Sequence, residues 1–235
     1  MAVMEATYNR KGASLELIDL SQTIEPGMSK FQGFADPEVK PVWTHKQSAR
    51  SGRYEGCTCE VTQAKFVTSI GTYLDAPYHF DPEGEDISGL ALEGCVLEGM
   101  CIDVRPLKAG QPIGIERLAQ VDCTGKTVLL CTGWSKHWGT ETYQHHPFLS
   151  RTAVGVLLRK KPRLVGIDTL VIDDPADPTR PAHANFLKQK ILIVENLTNL
   201  ESLINQEFTF IAVPPKVKGA AAFPVRAFAI LGTLR

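Results

Sequence analysis

Three short runs constrain this chain more than anything else in it. Residues 126–132 (KTVLLCT), 164–168 (LVGID) and 191–194 (ILIV) are almost continuously apolar. A strand with one wet face alternates polar and apolar residues, whereas a run without alternation belongs to a strand covered on both sides. The segment between the first two runs reads as a helix. Ser150 is its N-cap, and Phe148, Leu149, Thr152, Ala153, Val156 and Leu157 fall at helical spacing. Arg159, Lys160 and Lys161 stand at its C-terminal end, where the helix dipole favours cations, and Pro162 stops it. A shorter helix is expected over 184–189. Buried strands alternating with helices predict an α/β domain on a mixed, strand-rich sheet.

The rest of the chain fills in that sheet. Strands are expected at 15–20, within 55–67, and at 95–104, 208–213 and 225–231, with a short helix at 115–120 and a helical turn at 200–204. Pro26-Gly27 breaks the first strand and opens a long irregular segment containing Phe31, Phe34, Pro37 and Pro41. Loops of that length inside a compact domain are often functional. Residues 1–13 are expected to be a flexible segment ahead of one domain at 14–235.

Composition excludes several classes of function. The 235 residues carry a formal net charge of −1, so nothing favours nucleic acid or a membrane surface as partner. No apolar run approaches the roughly 18 residues of a spanning helix. The six cysteines lie mostly inside apolar runs and read as free thiols of a reducing, cytoplasmic compartment. Cys57 and Cys59 would share one face of a strand, but no second pair stands near them, which makes zinc binding there a weak reading.

Residues 69–80 (SIGTYLDAPYHF) concentrate the chemistry. Pro77 forces extended geometry on its predecessor, which fixes the turn that follows Asp75. His79 brings an imidazole, the side chain whose ordinary pKa suits proton transfer near neutral pH. Downstream, His183 lies at the start of the short helix, and Glu195 follows four apolar residues at a strand end, where sites in α/β proteins gather. Asp173, Asp174 and Asp177 read as solvated loop charges. His145 and His146 are adjacent and would point apart. Carboxylates with one or two imidazoles suit a hard-to-borderline divalent cation, zinc, manganese or iron(II), which would activate water and polarise a carbonyl. Ser69 and Ser135 lack the surroundings of a hydrolase nucleophile.

These residues stand in a pattern that resembles the cyclase family of bacterial kynurenine formamidases and isatin hydrolases. The family signature His-x-Gly-Thr-His-x-Asp-x-Pro-x-His is met here by Ser69-Ile70-Gly71-Thr72-Tyr73-Leu74-Asp75-Ala76-Pro77-Tyr78-His79. Residues 17–24 (LIDLSQTI), 27–33 (GMSKFQG), 132–135 (TGWS), 166–170 (GIDTL), 195–197 (ENL) and 224–227 (PVRA) are similar to further family blocks, in order. The resemblance implies a swivelling β/β/α-type fold, a homodimer or higher homo-oligomer, and hydrolysis of a small amide, formamide or lactam-type substrate. It implies Asp75, His183 and Glu195 as metal ligands, His79 as the acid–base group and Phe31 as the substrate-lining aromatic; Ser69 and Trp134 are expected to bind substrate as well, and Tyr73 joins His79 as a catalytic candidate.

Ser69 and Tyr73 occupy the places of two histidine ligands. Their hydroxyls are poor neutral ligands for zinc, so at most one cation, zinc or manganese, is expected. Three readings stay open: a hydrolase using cation-activated water, a metal-independent lyase, isomerase or cyclase using Tyr73 and His79, and a silent small-molecule-binding homologue.

Overall fold

A computed structural model of the chain describes residues 8–10 and 13–232. Among them, β1 (Tyr8–Arg10) pairs with β2 (Ala13–Leu15), and β4 (Glu38–Trp43) with β5 (Val61–Lys65), with the short helix α1 (His45–Arg50) between the latter two strands. Of the N-terminal segment expected to be flexible, residues 1–7, 11 and 12 lie outside the described residues. The large sheet is built from β3 (Leu17–Asp19), β6 (Tyr73–Asp75), β7 (Val96–Asp103), β9 (Thr127–Cys131), β11 (Leu164–Ile167), β12 (Leu192–Glu195), β13 (Phe208–Ile211), β14 (Ala222–Pro224) and β15 (Phe228–Leu231). A short parallel pair, β8 (Pro112–Ile113) with β10 (Phe148–Leu149), lies outside it.

The nine strands run in the order β14-β6-β12-β11-β9-β7-β13-β15-β3. The middle four are parallel and the flanks antiparallel, which gives the mixed, strand-rich α/β domain that was expected. The helices α2 (Arg151–Lys160) and α3 (Pro181–Lys188) form the crossovers between β9 and β11 and between β11 and β12. Both faces of the central strands are buried. Val128, Leu130, Val165, Ile167 and Ile193 pack against Ala153, Val154, Leu157, Phe186 and Leu187 of the helices. The residues between them, Leu129, Cys131, Leu164 and Val194, meet Leu74, Phe208, Phe210 and Ala229 on the other side.

That second core exists because the sheet curls. β14 lies at one edge and β15 next to the opposite edge, yet only Val225, Arg226 and Ala227 connect them. Four residue steps of extended chain span at most about 14 Å. The two ends of the sheet are therefore drawn together, and the chain after β3 reaches across the seam, with the Gln22 N–H donating to Thr72 Oγ1 at 2.9 Å.

Helix α2 has the expected limits: Ser150 Oγ accepts the Ala153 N–H, and Lys161 turns left-handed just before Pro162. Helix α3 starts earlier than expected, at Pro181, whose missing N–H costs nothing in a first turn. Residues 115–120 form turns rather than a helix, because the Ala119 N–H to Ile115 carbonyl bond is not continued. Cys57 and Cys59 lie in an irregular segment rather than on a strand. The segment expected as one strand at 225–231 begins only at Phe228, since Val225 to Ala227 are needed to cross between edges.

Candidate active site

The turn before β6 is clamped to a distant loop. Gly71 has φ +62°, and a Cβ there would lie 2.8 Å from Ile24 Cγ1, so both backbone and space require glycine. Thr72 Oγ1 donates to the Asn196 carbonyl at 2.6 Å, and Asn196 Nδ2 donates to the Gly71 carbonyl at 2.8 Å. Asn196 itself adopts φ +57°, and its Oδ1 accepts the Tyr143 hydroxyl at 2.9 Å.

Strand register then assembles the site. β6 lies antiparallel to β12 with Tyr73 opposite Glu195 and Asp75 opposite Ile193. Alternation sends Leu74 and Val194 into the inner core, leaving Tyr73, Asp75 and Glu195 on the face that carries α3. The Tyr73 hydroxyl donates to Glu195 Oε2, and the Ile172 N–H donates to Oε1 at 2.7 Å. His79 closes the short 3₁₀ turn Pro77–His79, placing Nε2 3.7 Å from Asp75 Oδ1. From α3, His183 Nε2 lies 3.7 Å from Asp75 Oδ2 and 3.5 Å from Glu195 Oε1. The Phe80 ring packs on the His183 imidazole at 4.8 Å between centroids.

Tyr73, Asp75, His79, His183 and Glu195 are thus brought together from three parts of the chain. All but His79 are buried. Burial pushes the Glu195 carboxyl up to about 7; His183 pulls it down, the Asp75 charge adds to the rise, and the Tyr73 and Ile172 hydrogen bonds oppose it. Burial works against the His183 imidazolium, but the Glu195 charge and the Asp173 and Asp75 carboxylates outweigh it and hold its pKa at about 10. Burial, then the Glu195 and Asp75 charges, push the Tyr73 phenol well above its usual value, so it stays a donor.

Asp75 has no exposed surface, and neither of its oxygens has a hydrogen-bond partner. A buried carboxylate without donors is costly unless an opposite charge faces it. Ligand atoms of Asp75, His79 and His183 fall within 4.8 Å of one another, with Glu195 beside His183. This donor set fits a divalent cation.

None of the remaining expected positions shares a hydrogen bond or ion pair with these five. Ser69 is half-buried in the bend ahead of β6 and takes no part in the hydrogen bonds of the cluster. Trp134 sits in a separate buried cluster with Tyr143, Leu170 and Val171. Phe31 is exposed in the loop after β3 and packs on Phe34. His146 is buried elsewhere, with Nδ1 on the Pro147 carbonyl at 2.9 Å.

Asp173, expected to be a solvated loop charge, is wholly buried against His183. Asp168 is also fully buried; it holds the Thr132 N–H, Thr132 hydroxyl and Gly133 N–H, and burial outweighs these bonds to push its pKa up to about 6. Neither role has a local sequence signal, because each depends on groups donated by another segment.

Comparison with known proteins agrees with this architecture. The chain is 29% identical over 214 residues to the kynurenine formamidase of Bacillus thuringiensis (strain Al Hakam), an alignment covering 90% of this chain and 96% of the relative. Its fold matches isatin hydrolase A from Ralstonia solanacearum with a TM-score of 0.80 at 20% identity, covering 93% of this chain and 92% of the other. Isatin hydrolase A from Labrenzia aggregata, solved with benzyl benzoate, also gives a TM-score of 0.80, at 22% identity and coverage of 92% and 93%. The cyclase family model matches residues 18–174, which include the clamped turn, Asp75, His79 and Asp173. A match over most of the chain, on the same turn that the fold holds rigid, makes this protein a member of the cyclase family.

Proposed function

We propose that the protein is a hydrolase of carbon–nitrogen bonds in a small amide, formamide or lactam-type substrate. The observation that carries the reading is the buried carboxylate of Asp75, which accepts no hydrogen bond and stands between two imidazoles. The relatives named kynurenine formamidase and isatin hydrolase support the choice of bond.

Asp75, His183 and Glu195 would hold one divalent cation, zinc or manganese. When bound, such a cation supplies Lewis acidity, polarising a carbonyl and lowering the pKa of water. His79 is the group free to move protons. Its side chain is 30% exposed, at the open side of the cluster, so it takes a proton from the attacking water and returns it to the leaving nitrogen. Tyr73 fixes Glu195 through its hydroxyl, and the exposed ring of Phe80 beside His183 offers an apolar wall to the substrate. A second assignment is favoured by the close grouping of Asp75, His79 and His183: His79 becomes the third ligand and Glu195 the proton carrier. Six free cysteines fit a reducing cytoplasm, and the family resemblance extends to a homodimer or larger homo-oligomer.

The test is turnover of an aryl formamide and a cyclic amide panel before and after chelation. Activity is expected to vanish with the chelator and return with zinc or manganese. Full turnover by metal-free protein would remove the cation from the mechanism, and no turnover of any panel member would remove the hydrolase. His79→Asn and Glu195→Gln separate the two assignments, since only the variant lacking a ligand loses cation affinity.

A further inference from the structure

Asp173 lies in an acidic stretch, but it behaves unlike its neighbours. Asp174 and Asp177 each accept N–H groups two residues ahead, as ordinary turn residues do. Asp173 has no exposed surface and faces inward. Its Oδ1 accepts the Ala182 N–H at 2.7 Å, and its Oδ2 accepts both the His183 N–H at 3.0 Å and the His183 ring at Nδ1, 2.7 Å away.

These bonds complete the start of α3. The N-cap residue, Arg180, has φ +43° and no side-chain cap, and Pro181 has no N–H. The next two orphan N–H groups of the helix are those that Asp173 takes. The same oxygen that holds the His183 backbone also holds its ring, so ring and helix start are fixed together.

We propose that Asp173 is a positioning residue of the site, committing the His183 proton to Nδ1 and its Nε2 to the pocket between Asp75 and Glu195. The inference rests on the cation-dependent reading above and deepens it. A carboxylate only accepts, so a 2.7 Å contact requires the proton on Nδ1. Nε2 then faces Asp75 Oδ2 at 3.7 Å and Glu195 Oε1 at 3.5 Å. In the metal-free protein Nε2 carries the second proton of the imidazolium; once a cation displaces that proton, the Nε2 lone pair stands among two carboxylates, the environment of a metal-ligating imidazole, and outer partners of such ligands typically change affinity 10- to 100-fold. Phe80, packed on the ring, further restricts its rotation.

Asp173→Asn tests this, because one amide oxygen cannot serve three donors. Ring nitrogen NMR on the wild type should show a His183 Nδ1–H protected from solvent exchange, with and without zinc. In the variant that protected proton should be lost, and zinc affinity by calorimetry should fall about 10- to 100-fold while the circular dichroism stays unchanged. An unprotonated Nδ1 in the wild type overturns the proposal whether or not the variant folds. So does a variant that binds zinc within about twofold of the wild type. If the wild type binds no zinc, the cation reading fails on its own, and the protected Nδ1–H still decides the role of Asp173: its presence in the wild type and loss in the variant supports it, and its persistence in the variant refutes it.

Discussion

Tyr73→Phe deletes one hydroxyl whose partner is the Glu195 carboxylate and leaves a ring of nearly the same shape in the same buried slot. In the metal-free protein Glu195 keeps the Ile172 N–H at 2.7 Å and His183 at 3.5 Å, but Oε2 loses its donor. A hydrogen bond to a charged acceptor contributes about 1.5–3 kcal/mol, and one to a neutral acceptor about 0.5–1.5 kcal/mol. The penalty should therefore depend on whether Glu195 is ionised. Its folded-state pKa of about 7 is raised above an ordinary 4.5, so its stabilising share is present below the unfolded value and is lost as pH rises through about 7. Near pH 5 the folded wild type and variant both hold Glu195 protonated, and the variant should lose about 1 kcal/mol. Near pH 8 the wild type is ionised, and the loss should grow to about 2–3 kcal/mol. The difference of about 1.4 kcal/mol corresponds to a rise of roughly one unit in the Glu195 pKa. Urea denaturation of both proteins at the two pH values measures it. A loss that is independent of pH, or smaller at the higher pH, would refute the assigned partnership between Tyr73 and Glu195.

Two further outcomes follow from the fold. Asp168→Asn keeps one acceptor for three buried donors from Thr132 and Gly133 and should cost about 2–3 kcal/mol by chemical denaturation; a change below about 0.5 kcal/mol would show that these bonds are replaced by others. Gly99→Ala puts a Cβ 2.0 Å from Phe208 Cε2 across the β7–β13 pairing, and overpacking should lower stability by about 1–3 kcal/mol, read as a fall in Tm.

Much of the frame is legible in the chain itself. Where structure follows from contacts close in sequence, reading it is direct: Ser150 and Pro162 bound α2 because caps and proline act within one turn. The unalternating runs around Val128, Val165 and Ile193 announce strands buried on both sides, since burial on two faces removes the need for polar residues. The turn at Gly71 and Pro77 is legible for the same reason, as both residues act through their own backbone.

The opposition of Tyr73 and Glu195 is different in kind, because antiparallel register joins positions 122 apart and a one-residue slip would turn both away from each other. Asp173 looks like its acidic neighbours until the start of α3 lies against it with two N–H groups and an imidazole. The close approach of β14 and β15 also needs the whole sheet, since only a curled sheet brings its two ends within reach of three linking residues. Residue type and spacing pointed to the buried central strands and the main helix, and the motif resemblance pointed to the family and to the five polar residues of the candidate site. Tertiary structure decided which of their atoms meet, because a hydrogen bond or ion pair forms over a few ångströms in space, whatever separates its partners along the chain.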